Sequence, residues 1–328
     1  MLRFMPLLSS LMITLRFRPG ISKGHKRAFC YRLAGQNLVA DLSVAGLGGF
    51  VKVCPEIPVQ AGRMDAWTSP GEARLMYQGP SWIGNRPCQV SGYALPAGYQ
   101  IAVTGIGVFW ISEDGQEIVC IEEEASAGVD LLIEAATGPA LILALALHGT
   151  WCLHASAVAF REQRIAFLGE SGRGKSTLAR WLGAQTEQGW RRLGDDILPV
   201  SLGDGRVDYL PHFPQPKLPA SEQPSLGLSE RLSLSVLYVL RRPSHGRSMA
   251  IRTLDRQEGI LSLIRYTVAS RLFDENLLAK HLDFCAQAGS QIPVREIIYP
   301  LSPHAMPEVQ EALLDALQPQ ESSSAVTT

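Results

Sequence analysis

From Ala28 to about Ile121, short apolar or aromatic segments alternate with turn residues, and the pattern predicts strands. The segments are Phe29–Leu33, Leu38–Leu42, Arg74–Tyr77, Gln89–Tyr93, Tyr99–Val103, Val108–Ile111 and Glu117–Ile121. Gly35-Gln36-Asn37, Pro96-Ala97-Gly98 and Glu113-Asp114-Gly115 supply turn chemistry between them, the last with the Asp-Gly pair that hairpins favour. Glu122-Glu123-Glu124 reads as a solvated strand end, because consecutive side chains on a strand cannot face one point. Gly138-Pro139 then opens an apolar helix that closes near His148-Gly149, where glycine suits the C-terminal cap. These patterns place a β-rich accessory domain over 1–138.

Beyond it the period changes. Cys152–Phe160 is a β-type run, Arg161-Glu162-Gln163-Arg164 a polar hairpin turn, and Ile165–Leu168 a second strand. A helix is predicted from Lys175 to about Gln185, followed by an apolar run at Ile197–Val200 and a turn at Asp204-Gly205. Leu210–Pro224 is rich in proline and reads as an irregular loop with Lys217 at its middle. Ser235–Leu240, Ala250–Leu254 and Val294–Tyr299 read as strands, and Asp255–Val268, Asn276–Ala288 and Ala305–Leu317 have helical spacing. The pattern gives a second, α/β domain over 139–317 and a polar, disordered tail over 318–328.

Composition narrows the class. With 328 residues, 46% hydrophobic and 19% charged, the chain is long enough for about two folded domains. A formal net charge of −1 gives no electrostatic case for nucleic acid. The 6 cysteines form no C-x-x-C pair and no zinc-like cluster, so they read as reduced thiols of a cytoplasmic protein. Met1–Leu15 is apolar like a short signal h-region, but Arg16 and Arg18 stand where a small-residue cleavage site belongs. Both this run and Ala140–Leu147 are too short to span a bilayer, so no membrane partner is expected.

The stretch that asks for chemistry lies where Ile165–Leu168 breaks into Gly169-Glu170-Ser171-Gly172-Arg173-Gly174-Lys175-Ser176-Thr177. It fits G-x-x-x-x-G-K-[ST] between a strand and a helix, the context in which backbone N–H groups converge on phosphate oxygens. Lys175 would reach the β- and γ-phosphates of a nucleoside triphosphate, and the Ser176 hydroxyl would face Mg²⁺. Three further residues could stand opposite the γ-phosphate: His154, Asp195 and Asp196. Phosphoryl transfer to a hydroxyl needs a carboxylate to hold or order Mg²⁺ and a base for the acceptor's proton, and two adjacent carboxylates at a strand end can divide those tasks. On a regular strand they would face opposite ways, a restriction that a turn at Asp195 would relax. On its own, His154 reads equally as a core histidine or a catalytic one.

Leu153-His154-Ala155-Ser156-Ala157-Val158, the glycine-rich stretch Phe167–Thr177 and Leu193-Gly194-Asp195-Asp196 together resemble the kinase domain of the HPr kinase/phosphorylase family and its relatives. The likeness covers about Pro139 to Asp196. It implies an α/β fold with a P-loop kinase core related to phosphoenolpyruvate carboxykinase, ATP and Mg²⁺ as cofactors, and a serine hydroxyl of a protein or peptide as acceptor. By matched position it implies that His154 is an active-site histidine, Lys175 the phosphate-loop lysine, Ser176 the metal-binding serine and Asp196 the base. Asp195 matches the first aspartate of the pair and is the other candidate metal ligand. The Glu-x-Arg-Gly-x-Gly segment of the bifunctional members is missing; the corresponding region reads Tyr209-Leu210-Pro211-His212-Phe213-Pro214-Gln215-Pro216-Lys217. The departure points away from phosphorylase activity and from HPr as substrate, and toward shorter relatives that phosphorylate a serine of ribosomally made precursor peptides, lasso peptides among them. The expected function is thus an ATP-dependent serine kinase. The alternatives are a small-molecule kinase and a non-catalytic nucleotide-binding module, and homo-oligomerisation stays open.

Overall fold

The structure, a computed structural model, describes residues 12–17, 29–40, 44, 51–52, 73–84, 86–122, 128–215, 217–219, 222, 229, 231–243 and 249–317. The predicted tail at 318–328 lies outside them, as do Glu123 and Glu124 of the acidic run.

The β-rich part is a sheet of strands β1 (Met12–Phe17), β2 (Phe29–Leu33), β3 (Gln36–Ala40), β4 (Val51–Lys52), β5 (Arg74–Ile83), β6 (Arg86–Leu95), β7 (Gly98–Val103), β8 (Gly107–Ser112) and β9 (Glu117–Glu122). Its order is β4-β2-β3-β1-β9-β8-β7-β6-β5, so β5 forms one edge among the described residues. The alternation that predicts these strands is also what buries one face: Ile101, Val103, Phe109, Ile111 and Ile118 are fully enclosed. Of the N-terminal apolar run, the part from Met12 lies within the described residues. Met12–Phe17 forms a strand inside the sheet, parallel to both β3 and β9, with Ile13, Leu15 and Phe17 in the core. Arg16, which interrupts the apolar run, points the other way and pairs with Glu117 at 2.6 Å. The reduced-thiol expectation is corrected: Cys30 is disulfide-bonded, whereas Cys88, Cys120, Cys152 and Cys285 are free.

A helical run follows: α1 (Val129–Ala135), a π-type turn at Ala136–Ala140 and α2 (Leu141–Leu147). Gly138-Pro139 therefore stands inside the run and kinks it, with Gly138 at φ −87° and ψ −110°, instead of opening it. Gly149, at φ +75°, ends it as predicted. The run reaches the length and mean hydropathy, 1.8 over 18 residues, of a membrane-crossing helix. Here Leu132, Leu141, Leu143 and Leu145 are buried in the same core as the sheet above and β10 below, as in the central helix of a globular fold.

The second sheet holds β10 (Trp151–Phe160), β11 (Gln163–Leu168), β12 (Trp190–Gly203), β13 (Arg206–Tyr209), β14 (Leu232–Ser233), β15 (Val236–Arg241), β16 (Ala250–Thr253) and β17 (Val294–Ile298) in the order β14-β13-β12-β10-β11-β15-β17-β16. β11, β15 and β17 run parallel; β10 is antiparallel to β11 and β12. Its helices are α3 (Lys175–Gly183), α4 (Arg256–Tyr266), α5 (Glu275–Gln291) and α6 (Met306–Leu317). Leu178 and Leu182 of α3 and Val309 and Leu313 of α6 cover one face together with Phe167 and Tyr238, and the other face joins the core shared with the first sheet. Local chemistry sets the helix starts: Asp255 and Glu258 form a capping box on α4, and Asp274 caps α5.

One buried histidine makes this core acid-sensitive. His281 on α5 lies among Trp151 and Phe273, with Nε2 2.8 Å from Thr267 Oγ1. Burial pushes its pKa from 6.5 down to about 4. The folded state therefore binds fewer protons than the unfolded chain between those values, and stability falls as pH drops from 6.5 toward 4. Between pH 7 and pH 5 this one group should cost about 2 kcal/mol. His281→Gln keeps a donor for Thr267 and does not titrate. Its melting temperature should fall less on acidification than the wild type's, and an equal fall would refute the assignment.

Candidate functional site

β11 delivers its chain end into the glycine-rich loop, and α3 starts at Lys175 with Gly174 as its N-cap. Gly174 has φ +84°, a backbone that strains any side chain, and a Cβ there would come within 2.6 Å of Tyr299 Oη and Leu301 Cδ2, which would have to move. No side chain caps α3. Its first N–H groups are left for an anion, with the helix dipole in support. Gly169, Glu170, Ser171, Gly172, Arg173 and Gly174 form the loop; Lys175, Ser176 and Thr177 form the first turn. Lys175 is buried and folds back over the loop, its Nζ donating to Gly169 O at 2.7 Å and Glu170 O at 3.1 Å. Burial lowers its pKa to about 8, against the opposing pull of Asp196 and Asp195. A cation is held there at a cost that a phosphate would offset.

The aspartate pair sits on β12, the neighbour of β10. The register sets Ser156 opposite Asp195 and Ala155 opposite Asp196. Asp195 is fully enclosed: its Oδ1 accepts from Ser156 Oγ at 2.5 Å and from Ser176 Oγ at 2.8 Å, and its Oδ2 accepts from Arg192 at 2.5 Å. Simple alternation would turn Asp196 to the opposite face. It does not, because Asp196 has φ +85°, a left-handed backbone in mid-strand that costs of order 1–3 kcal/mol. Its Oδ1 lies 3.5 Å from His154 Nδ1 and 2.7 Å from Lys217 Nζ. Burial and then the charge of Lys175 lower the His154 pKa, while Asp196 pulls it the other way. The side chains named from the sequence are thus brought together: Lys175 and Ser176 from α3, Asp195 and Asp196 from β12, His154 from β10.

Four residues at this place carried no motif. Arg192 neutralises Asp195 from three residues upstream, across a bulge where β12 has one residue more than β10. Gln215 accepts from the Asp195 N–H at 2.7 Å and donates to Ile197 O at 2.9 Å, which ties the proline-rich loop to the aspartate strand. Lys217 follows from the same loop. Arg265, at the end of α4, pairs with Glu170 of the glycine loop. The first sheet supports this arrangement, since the Ala34 N–H at the β2–β3 turn donates to His212 O at 2.6 Å.

Among the described residues no three His, Cys, Asp or Glu side chains converge as a metal cluster. The oxygen pair of Ser176 and Asp195 still suits Mg²⁺, which keeps most of its waters and takes one or two protein oxygens beside phosphate. Asp195 meets it with a carboxylate already filled by Arg192 and two hydroxyls, so positioning Ser176 is the role its contacts describe.

No family model and no curated protein matches the chain. Among solved structures it is similar to the Hpr(Ser) kinase/phosphatase from Coxiella burnetii, with 15% identity and a TM-score of 0.29 over 50% of this chain and 88% of that one. A likeness so slight carries no argument about the site, and the functional reading is built on the geometry above.

Proposed function

We propose that the protein is an ATP-dependent kinase that transfers the γ-phosphoryl group to a serine hydroxyl of a protein or peptide, with Mg²⁺ as cofactor. The observation that carries this reading is the left-handed Asp196, which sets a partly buried carboxylate beside His154 in the same site as a phosphate-type loop. Strain of this kind clusters at active sites, ligand clamps and switch regions, and here it falls on a carboxylate suited to accept a proton. Lys175 and the N–H groups of α3 hold the triphosphate, and Asp195 aims the Ser176 hydroxyl at the metal position. Ser176 would hold Mg²⁺, which would supply charge neutralisation during transfer. Asp196 accepts the proton of the acceptor hydroxyl, with His154 beside it to orient the carboxylate. Lys217 supplies a second cation in the loop that stands where bifunctional relatives carry their Glu-x-Arg-Gly-x-Gly segment. Incubation of the full chain with [γ-³²P]ATP, Mg²⁺ and serine-containing peptides should place label on serine. Label released only as inorganic phosphate would overturn the reading.

A further inference from the structure

A cavity of about 480 Å³ opens beside Asp196, and Arg265, which pairs with Glu170 of the glycine loop, also lines it. Asp196 lines it, and none of Gly169 to Thr177 does. Its other walls come from both sheets: Tyr77 and Trp82 of β5, Phe213 of the proline-rich loop, and Arg271 in the link between α4 and α5. The link is held in an uncommon conformation, with Ala269 at φ +61°, and is clamped to the first sheet. Tyr99 Oη donates to Asp274 at 3.1 Å, and Gly92 leaves so little room that a Cβ would stand 2.5 Å from Leu272.

We infer that this cavity is the acceptor site, and that the β-rich domain selects a peptide with a bulky apolar residue close to its acceptor serine and an acidic residue nearby. The inference rests on Asp196 being the base, because the hydroxyl must come within hydrogen-bond reach of it. Three observations then fix the chemistry. The walls are mainly apolar and aromatic, and Trp82 is 68% exposed at the rim, so the apolar surface continues outward to meet a chain that passes through. Among the described residues β5 is the sheet edge, with one side of its backbone free of a strand partner and able to pair with an extended peptide on either side of Pro80. Arg271 lies over the Tyr77 ring, 5.8 Å from its centroid, and forms no ion pair among the described residues, so a carboxylate on the substrate would complete it.

The test uses the full chain, [γ-³²P]ATP with Mg²⁺, and a positional library of synthetic peptides with one fixed serine. Wild type should favour Phe, Leu or Trp within about three residues of the serine, and Asp or Glu at a further position. Trp82→Ala should raise the KM of apolar-bearing peptides about tenfold with little change in kcat, as loss of an aromatic anchor does. Arg271→Ala should erase the acidic preference and Arg271→Lys restore part of it. Both side chains lie at the cavity surface, and a melting curve checks that each variant is folded. Unchanged preferences in both variants would overturn the inference while leaving the kinase reading intact. Labelling of small hydroxy compounds but of no peptide would overturn the peptide occupant. Failure of the wild type to bind or consume ATP would instead sink the kinase reading on which the inference stands.

Discussion

Asp196→Asn should bind ATP as the wild type does and lose phosphoryl transfer by about 10²–10⁴-fold, the range a general base contributes. The amide fills the same space on the same left-handed backbone, but it cannot take a proton at neutral pH and gives up the ion pair with Lys217. Asparagine tolerates a positive φ as well as aspartate, so the fold should hold. Single-turnover transfer, measured beside binding of a fluorescent ATP analogue, separates the two effects. The contrast with Asp195→Asn is informative. That carboxylate is enclosed and pairs with the buried Arg192, so neutralising it leaves the guanidinium only its longer, 3.5 Å pair with Glu222 and should destabilise the protein by up to about 3–5 kcal/mol. If a folded Asp195→Asn were dead and Asp196→Asn active, the two roles would be exchanged.

Lys175→Ala should lower transfer by at least about 10²–10³-fold, the cost of removing one positioned group that meets developing charge. It should leave the melting temperature close to that of the wild type. The ammonium is buried and its pKa is held down near 8, so the folded protein gains little from the charge until a phosphate arrives. The two carbonyls it leaves, Gly169 O and Glu170 O, belong to a loop whose tip at Ser171 and Gly172 is open to solvent. Calorimetric melting with and without Mg·ATP would show the difference as loss of ligand-induced stabilisation alone. Wild-type transfer by the folded variant would remove the basis for assigning the loop to phosphate.

The sequence makes the local parts of this site readable and hides the distant ones. Glycine spacing between an apolar strand and a helix fixes the loop because three of its glycines adopt φ values that other residues avoid. The adjacent aspartates are visible as a pair, yet the twist that brings Asp196 to the side of His154 is a property of one dihedral angle and leaves no pattern. Gln215 and Lys217 sit in a loop that reads as irregular and is irregular; what matters about it is where it folds, against β12. Ser156 hides among the small residues of an apolar strand. In the first sheet the hairpins from β5 to β9 are legible because their turns are short and their pairing is sequential. β1 is not, since its parallel partners β3 and β9 come from far along the chain and no turn announces them. The helix is also longer than its apolar half, because Val129–Ala135 carries Asp130 and Glu134 on an outer face that dilutes the hydrophobic signal.

The central claim is that the glycine loop and Asp196 serve one phosphoryl group. Simultaneous measurement of ADP formed and phosphoserine formed in a single reaction, with Mg·ATP and a serine peptide, tests it most directly. One phosphoserine should appear for each ADP in the wild type, and both should stop together in Asp196→Asn despite bound ATP. ADP accumulating at the wild-type rate in that variant, or without phosphoserine in the wild type, would contradict it.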